Sequence, residues 1–561
     1  MKNERAIKKE PVRLIILFYA ILIYLNIRIN GEKINNNLEN NEQENLENNY
    51  IQKSVVIDAG STGTRVHIYN YEILNNNKDI KIYIPSVSYR TTPGLVYLLN
   101  NYFTNNDKES FYDYFKNIKN FIYGNVMESE RSMTVIIIRA SGGFRLLSVQ
   151  KSEEYISFIK SYFYTYFNEF LLIDDLLIKV LSGKEEAILS FVSIYALLEK
   201  LSPSPVFFTN KKENDKNSTS DGIEMVETDK GKTLDDRITK SVDESHSIRK
   251  FSKDQDDTIG VLELGGATAQ IIVKIPLSNM SDDILNVFNY QHKENKNKES
   301  FIEENYKNRN IVKIRFFNSY IYLYCKSYLV LGRQNAMKTY LHYVVHKHYK
   351  KEDKTNKFIP LACFPKDFKF HINNLYKTSI EEELKEYHGN TQLGEDEYVG
   401  VGTGQYNLCK TQIRDILDHS QIDSLPFKMK KFIKLYGIEN FHHFAIDILN
   451  ISESYNPMLL NTDMYMQKAE QVCPLTIDEI RKVVRPESNI EKAQTSCFGL
   501  IYLHEFMRYT LKIDEPISFY STNYINHINI TWTVAVLLME LPPYLHLIEK
   551  HSKKNYSYDE L

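Results

Sequence analysis

Two short segments of this sequence combine an acid, glycines and hydroxyl side chains in the same order. The first, 55–69, reads VVIDAGSTGTRVHIY and places Asp58 between a short apolar run and a turn of small residues. The second, 259–275, reads IGVLELGGATAQIIVKI and places Glu263 in the equivalent position. Glycines let such a turn fold so that backbone N–H groups and hydroxyls converge on one anion. Each segment therefore predicts a phosphate-binding turn with a carboxylate beside it.

The turn residues of both segments are the candidate phosphate ligands. They are Ser61, Thr62, Gly63 and Thr64 in the first segment, and Gly265, Gly266, Ala267 and Thr268, followed by Gln270, in the second. The first turn lacks the P-loop spacing G-x-x-x-x-G-K-[ST], and alternating apolar residues predict a strand on each side of both turns. An ordinary glycine-rich hairpin is the alternative for either segment alone. Their repetition favours two similar lobes that each offer a phosphate turn to a shared cleft.

Two further segments place polar residues at the ends of predicted strands. Residues 139–147 read RASGGFRLL, which puts Ser141 where α/β proteins bind ligands, although a plain strand-to-helix turn has the same pattern. Residues 182–186 read SGKEE and open a helix with apolar residues at helical spacing. Glu186 then lies in the first turn, where the helix dipole keeps a carboxylate ionised, as a general base requires. Position alone favours a capping role for this residue.

Composition and charge exclude several classes of protein. The chain has 561 residues, enough for more than one core, and a net charge of -3, which gives no field that attracts nucleic acid. Its five cysteines include no C-x-x-C pair, which argues against a structural zinc site. His342 with His346, and the pair His442 and His443, lack a third ligand in register and are interpreted as solvated helix faces.

The two ends of the chain predict the secretory pathway. Basic residues precede an apolar run at 14–25, as in a signal peptide or an uncleaved signal anchor with a cytosolic N-terminus. We expect this segment over residues 1–30, followed by a polar Asn-rich stem over 31–53. The protein is then a single-pass type II membrane protein or a secreted one, in the ER or Golgi lumen or at the cell surface. The C-terminal sequence YDEL, 558–561, differs from the ER retrieval signal K-D-E-L at one position, and sequons permit glycosylation.

Taken in order, these segments resemble the conserved regions of the apyrase family of nucleoside tri- and diphosphatases. Residues 58–67 are similar to the first region, 140–147 to the second, 182–186 to the third and 264–270 to the fourth. A predicted helix led by Trp532 is a loose match to the fifth. The fixed order of four good matches argues against coincidence.

The resemblance implies an α/β fold of two actin-like lobes of the ribonuclease-H type, with the active-site cleft between them. We expect lobe I over 54–180 and 515–550, and lobe II over 181–514. Within lobe II, residues 209–257 lose the apolar pattern and predict a disordered insertion. The resemblance also implies two disulfides in lobe II. They join Cys363 to Cys409 and Cys473 to Cys497, and they leave Cys325 outside any disulfide.

The resemblance also implies a role for each candidate residue. Glu186 is the general base that deprotonates a water molecule attacking the terminal phosphorus of a nucleotide. Asp58 and Glu263 hold a hydrated Mg²⁺ or Ca²⁺, for which oxygen ligands are suitable. The hydroxyls of Ser61 and Thr268 bind phosphates together with the glycine N–H groups of the two turns. Ser141 and Gln270 orient the attacking water.

Departures from the family pattern keep other functions open. Glu263 stands where the family has aspartate, and Ala187, Phe191 and Tyr195 replace a glycine, a tryptophan and an asparagine that follow the base. These changes lie close to Glu186, so a catalytically weak nucleotide-binding relative is one alternative. An exopolyphosphatase of the same superfamily is another, although the segment 182–186 fits it less well.

Overall fold

The computed structural model describes twelve ranges of the chain: 51–74, 79–201, 204–208, 258–276, 302–304, 310–316, 319–351, 357–372, 398–420, 422–423, 434–512 and 516–556. The predicted signal segment, nearly all of the Asn-rich stem, the insertion at 209–257 and the YDEL tail lie outside these ranges. Within them, no helix has the length and apolar character needed to cross a membrane.

The strands in the described ranges are numbered in chain order. They are β1 Gln52–Ala59, β2 Thr64–Ile73, β3 Ile80–Thr91, β4 Val135–Ala140, β5 Ile178–Val180, β6 Val206–Phe208, β7 Ile259–Leu264, β8 Ala269–Lys274, β9 Ile302–Glu304, β10 Ile311–Phe316, β11 Ser319–Tyr328, β12 Phe358–Leu361, β13 Lys369–Ile372, β14 Tyr398–Gly402, β15 Lys434–Glu439, β16 Met458–Asn461, β17 Ser518–Ser521, β18 Tyr524–Ile525 and β19 Ile528–Asn529.

The helices in the same ranges are numbered likewise. They are α1 Leu95–Thr104, α2 Lys108–Asn125, α3 Glu128–Arg131, α4 Gly142–Arg145, α5 Val149–Tyr166, α6 Asp174–Leu177, α7 Gly183–Leu197, α8 Arg333–Lys351, α9 Tyr406–His419, α10 Asn440–Asp447, α11 Asp463–Val472, α12 Ile477–Val483, α13 Ile490–Gln494, α14 Ser496–Leu511, α15 Thr533–Glu540 and α16 Leu545–Tyr556, with a 3₁₀ helix at Pro542–Tyr544.

Two large sheets repeat one topology. The first has the order β5-β4-β1-β2-β3-β6, and the second contains the order β17-β15-β7-β8-β11. In both, a first strand pairs antiparallel with a second, the second pairs antiparallel with a third, and two later strands run parallel to the first. This repeat confirms the predicted α/β fold of two actin-like lobes of the ribonuclease-H type.

Burial explains why the central strands read as nearly continuous apolar runs. All six residues of β4 and all six of β7 are buried, because helices or the other sheet cover both faces of these strands. One hydrophobic core includes residues of both sheets together with α7 and α15. Helix α7 packs against β8, β11 and α15, and α15 packs against β1. Since α7 lies between the sheets, its first turn lies beside the hairpins of both lobes.

Three strands differ from the predicted boundaries. Strand β1 begins at Gln52, so the last two residues of the predicted stem, 31–53, belong to the first sheet. Strand β6 falls within the range predicted for lobe II but pairs with β3 in the first sheet. Strand β17 falls within 515–550, predicted for lobe I, but lies in the second sheet beside β15. The chain therefore crosses between sheets after β17 and not before it.

Both predicted disulfides are present. Cys363 is bonded to Cys409, and Cys473 is bonded to Cys497. The first joins the loop after β12 to α9, and the second joins the end of α11 to α14. Cys325, in β11, is buried and outside any disulfide. The bonded cysteines all lie around the second sheet, as the resemblance implied.

A buried carboxylate in the helical layer of the second lobe gives a prediction about stability. Glu505, on α14, has a fully buried side chain and accepts two hydrogen bonds from Arg414 of α9, at 2.9 and 3.0 Å. Burial raises the pKa of Glu505, but His504 and Arg414 outweigh it and lower the pKa to about 2. This carboxylate therefore stabilises the fold above its ordinary pKa of 4.5, and the contribution is lost as the pH falls from 4.5 towards 2.

We expect Glu505→Gln to lower the free energy of unfolding by about 3 kcal/mol at pH 7, because it breaks a buried ion pair. The deficit relative to the wild type should shrink as the pH falls below 4.5. Chemical unfolding midpoints measured between pH 2 and pH 7 would check this result. Glu487→Gln is the control, since Glu487 is largely exposed in its ion pair with Arg485 and should have little effect. A pH-independent deficit would show that the charge of Glu505 contributes nothing.

Candidate functional site

A cavity of about 710 Å³ lies between the two sheets. Its lining comes from the β1–β2 hairpin, the β7–β8 hairpin, the turn after β4 and the first two turns of α7. The predicted site residues that line it are Asp58, Ser61, Thr62, Gly63, Ser141, Glu186, Glu263, Gly265, Gly266, Ala267 and Thr268. The structure thus brings segments that are far apart in the sequence to one cavity.

Two predicted residues, Thr64 and Gln270, are absent from the lining of this cavity. Thr64 is the first residue of β2 and pairs with Ala59, so strand alternation turns it away from the face that carries Asp58. Gln270 pairs with Glu263 but is 1% exposed, because α7 packs over β8. The carboxamide of Gln270 has no hydrogen-bond partner among the described residues. That Gln270 contacts the attacking water therefore stays a prediction.

The second hairpin is held so that its N–H groups face the cavity. The carbonyl groups of Gly265 and Gly266 accept hydrogen bonds from the backbone N–H groups of Arg333 and Gln334, at 2.9 and 3.0 Å. A trans peptide directs its N–H opposite to its carbonyl. Because the carbonyls point towards the start of α8, the following N–H groups point the other way. This arrangement suits a phosphate oxygen in the cavity.

A glycine supports each hairpin tip from behind. A Cβ atom on Gly94 would lie 2.2 Å from the carbonyl oxygen of Ser61, and one on Gly332 would lie 2.2 Å from the backbone nitrogen of Thr268. Only glycine allows such a close backbone approach. Gly94 comes immediately before α1, and Gly332 comes immediately before α8. The two hairpin tips are therefore supported in the same way.

In the first turn of α7, one glutamate caps the helix and the next one lines the cavity. Ser182 accepts a hydrogen bond from the backbone of Glu185, and the side chain of Glu185 accepts one from the backbone of Ser182, which forms a capping box. Glu186 is left out of this box, is 7% exposed and lines the cavity. Arg145 donates to Oε2 of Glu186 at 2.7 Å and to the carbonyl of Leu181 at 2.9 Å. The capping role therefore belongs to Glu185, and Glu186 is free to act in the cavity.

The two hairpin carboxyl groups have raised pKa values. Burial raises the pKa of Asp58 to about 7, against the opposing effect of Arg65, which donates a hydrogen bond to Asp58 at 3.3 Å. Burial and the charge of Glu186 raise the pKa of Glu263 well above its usual value, although Ser190 donates a hydrogen bond to Glu263 at 2.6 Å. Both carboxyl groups are thus poorly compensated by the protein alone. A cation between the hairpins would favour their ionised forms.

The donor set fits a cation that is held through water. Among the described residues, no three histidine, cysteine, aspartate or glutamate side chains come close enough together to bind a metal directly. Asp58 and Glu263 belong to different hairpins and offer only oxygen ligands, which Mg²⁺ and Ca²⁺ prefer. Mg²⁺ usually keeps several waters and binds through one or two carboxylates and substrate phosphates. The two poorly compensated carboxylates beside the two glycine-containing turns match that arrangement.

Several cavity residues were missed by sequence reasoning. Glu439, at the end of β15, lines the cavity in a left-handed backbone conformation with φ of 57°. Burial raises its pKa, but Arg65, His443 and other cationic groups outweigh this effect and lower it. The histidine pair read as a solvated helix face is instead part of the cavity wall, and His442 is 2% exposed. An apolar run precedes Glu439, as one precedes Asp58. This shared pattern could have identified Glu439 from the sequence.

Comparison with known proteins agrees with this geometry. The model of the GDA1/CD39 (nucleoside phosphatase) family matches residues 42–546. The sequence is 21% identical over 509 residues to nucleoside-diphosphatase mig-23 of Caenorhabditis elegans, covering 87% of this chain and 76% of that protein. It is 20% identical over 512 residues to human ectonucleoside triphosphate diphosphohydrolase 3, covering 87% and 78%. A solved nucleoside triphosphate hydrolase from Neospora caninum has a TM-score of 0.50 at 12% identity, covering 92% of this chain and 98% of that one.

Proposed function

Because the chain belongs to the GDA1/CD39 (nucleoside phosphatase) family, we propose that it hydrolyses the terminal phosphate of nucleoside tri- or diphosphates with water activated by Glu186. The observation that carries this proposal is the cavity shared by two phosphate-binding hairpins and a buried carboxylate on α7. Phosphoryl transfer depends mainly on positioning and on neutralising charge, and this cavity offers groups for both.

Glu186 is the proposed general base. Arg145 bonds to one of its carboxylate oxygens, which fixes the orientation of the side chain and leaves Oε1 to accept a proton from water. The water oxygen then forms a bond to the terminal phosphorus, and the bridging P–O bond breaks with its electron pair on the leaving nucleotide. Ser141 lies in the same cavity and is proposed to orient the water.

The two hairpins are proposed to hold the phosphates. Backbone N–H groups of 61–63 and 266–268, with the hydroxyls of Ser61 and Thr268, would surround the non-bridging oxygens and stabilise their charge in the transition state. Asp58 and Glu263 would hold a hydrated Mg²⁺ or Ca²⁺, which would supply further neutralisation of phosphate charge. Thr64, which points away from the cavity, is proposed to support the turn and not to bind phosphate.

A turnover panel tests this proposal. Phosphate release would be measured with nucleoside tri-, di- and monophosphates and with polyphosphate, each with Mg²⁺, with Ca²⁺ and with a chelator. We expect release from tri- or diphosphates that depends on the cation, and little from monophosphates. Nucleotide binding without turnover would favour the weak nucleotide-binding relative. Hydrolysis of polyphosphate but not of nucleotides would favour the exopolyphosphatase.

We also propose that the protein acts in the secretory pathway or at the cell surface, held by its N-terminal segment or released from it. The two disulfides support an oxidising compartment. Asn450 and Asn529 are exposed and stand in sequons, which is compatible with glycosylation there.

The hydrogen bond between Ser190 and Glu263 gives a second testable expectation. By the resemblance, the family has aspartate at the position of Glu263. The longer glutamate side chain here accepts a hydrogen bond from the hydroxyl of Ser190, on the helix that carries Glu186. We expect Ser190→Ala to lower kcat by about tenfold and to raise the Mg²⁺ concentration needed for half activity, because an unrestrained carboxylate positions the cation poorly.

Ser193→Ala is the matched control for this expectation. Ser193 is fully buried on the same helix, but its hydroxyl has no partner among the described residues and lies outside the cavity lining. This variant should keep wild-type turnover and cation dependence. In a Glu263→Asp background, Ser190→Ala should have a much smaller effect, since the shorter side chain retracts from the hydroxyl. Equal losses for the two serine variants would refute a positioning role for Ser190.

A further inference from the structure

We propose that Arg65 and Arg90 form a second phosphate subsite that binds the phosphate remaining with the leaving nucleotide. This inference rests on the proposed function and adds to it a binding site for the phosphate next to the one attacked. It assigns a role to two basic residues outside the phosphate turns. Their register in the first sheet, their exposure to the cavity and their ion pairing support this role.

Three neighbouring strands place these charges in one row. Asp58 of β1 pairs with Arg65 of β2, and Arg65 pairs with Arg90 of β3. Directly paired residues of antiparallel strands point to the same face of a sheet. All three line the cavity, so the row forms part of its wall. The row begins at a proposed cation-binding carboxylate and continues with two guanidinium groups.

The row extends far enough along the cavity wall to reach a second phosphate. Neighbouring strands are about 4.8 Å apart, so Arg90 stands about 10 Å from the strand of Asp58 along the wall. A phosphate held at the hairpin tips and the cation site leaves the next phosphate beside Arg65 and Arg90. The long side chains of arginine cover the remaining distance.

The ion pairing leaves one arginine available. Arg65 makes one hydrogen bond to Asp58, at 3.3 Å, and its side chain is 37% exposed. Arg90 is exposed and has no ion pair within the part of the chain that the structure describes. Like charges directly opposite each other on paired strands destabilise a sheet unless an anion lies between them. Glu439 and Asp58, both in the cavity wall, are carboxylates whose charges act on both arginines, but neither forms an ion pair with Arg90.

The chemistry of the leaving group fits two arginines. When the bridging P–O bond breaks, its electrons move to the leaving nucleotide, whose remaining phosphate gains negative charge. Guanidinium groups bind phosphate oxygens through paired N–H donors and stay protonated throughout. The row would therefore recognise substrates with at least two phosphates in a chain. A lone phosphate ester would use only the hairpin turns.

The test compares two small probes, inorganic phosphate and imidodiphosphate, a non-hydrolysable diphosphate without a nucleoside. Their affinities for the full chain are measured by titration calorimetry at fixed Mg²⁺ and salt. We expect Arg90→Gln to weaken imidodiphosphate about tenfold, as loss of a charge-assisted hydrogen bond should, and to leave inorganic phosphate within about twofold. Arg481→Gln, which removes an exposed arginine that does not line the cavity, should change neither affinity.

Each outcome of this comparison decides the inference. Equal weakening of both probes would mean that Arg90 acts only through the general charge of the cavity and would overturn it. Unchanged affinity for imidodiphosphate in Arg90→Gln would overturn it as well. Melting temperatures of both variants show whether they are folded. Nucleotide turnover by the wild type is measured alongside. If the wild type hydrolyses nucleotides but the probes contradict the role of Arg90, only the subsite is wrong and the proposed function stands.

Discussion

Replacement of Glu186 by glutamine should lower kcat for nucleotide hydrolysis by about a thousandfold and leave nucleotide affinity within about twofold. General-base catalysis contributes roughly 10²–10⁴ in rate, and the amide cannot accept the proton of the attacking water. Glutamine keeps the size of the side chain and can still accept the hydrogen bond from Arg145, so the first turn of α7 should stay in place. Steady-state kinetics and nucleotide titration of the purified variant would measure both quantities.

Glu185→Gln is the matched control for that result. Glu185 is the neighbouring residue and completes the capping box with Ser182, and it does not line the cavity. We expect its loss to lower stability slightly and to leave kcat within about threefold. If Glu186→Gln retained more than a tenth of wild-type kcat, another group would have to activate the water, and the assignment of the base would be wrong.

Asp58→Asn should abolish cation-dependent turnover while making the cation-free protein no less stable. Burial raises the pKa of Asp58 to about 7, so the folded state binds a proton more tightly than the unfolded state. The stability linked to this proton is present below the ordinary pKa of 3.8 and is lost as the pH rises to about 7. At pH 8 without a cation the wild type carries this cost, and asparagine removes it. When a cation is present, only the wild type has a carboxylate at position 58 that can bind it.

Melting curves at pH 8, with a chelator and with saturating Mg²⁺ or Ca²⁺, would check both parts. We expect the wild type to melt at a higher temperature with the cation and Asp58→Asn to show no such shift. Turnover of the variant should fall by about a hundredfold or more, since positioning of the cation is lost. Asp174→Asn is the control, because Asp174 has an exposed side chain on the surface and should preserve the cation shift. A normal cation shift in Asp58→Asn would place the cation elsewhere.

The parts of the site that follow from local sequence were predictable. The first turn reads as a strand, small residues and a strand, and the structure forms β1 and β2 around it. Ser182 and Glu185 indicate the start of α7, because a serine followed three residues later by glutamate begins a helix. The order of these segments then indicated the fold, since each lobe of the repeated topology supplies one hairpin.

What escaped sequence reasoning depends on register and on packing between lobes. Arg90 faces the cavity because β3 pairs with β2 in one register, which its own sequence does not specify. Ser190 meets Glu263 only because α7 packs on the second sheet. Gln270 is covered by the same helix, and its expected contact with the attacking water stays a prediction. Strand β17 falls within 515–550, the range predicted for lobe I, but pairs with β15, because its own sequence does not specify its partner.

The stereochemical course at phosphorus tests the central claim most directly. The enzyme would hydrolyse a nucleoside triphosphate whose terminal phosphorus is an isotopically chiral thiophosphate, in isotopically labelled water, and the configuration of the released thiophosphate would be determined. Direct attack by a water that Glu186 activates predicts inversion of configuration. Retention would require a covalent phosphoenzyme and two displacements, and it would contradict direct attack by water in this cavity.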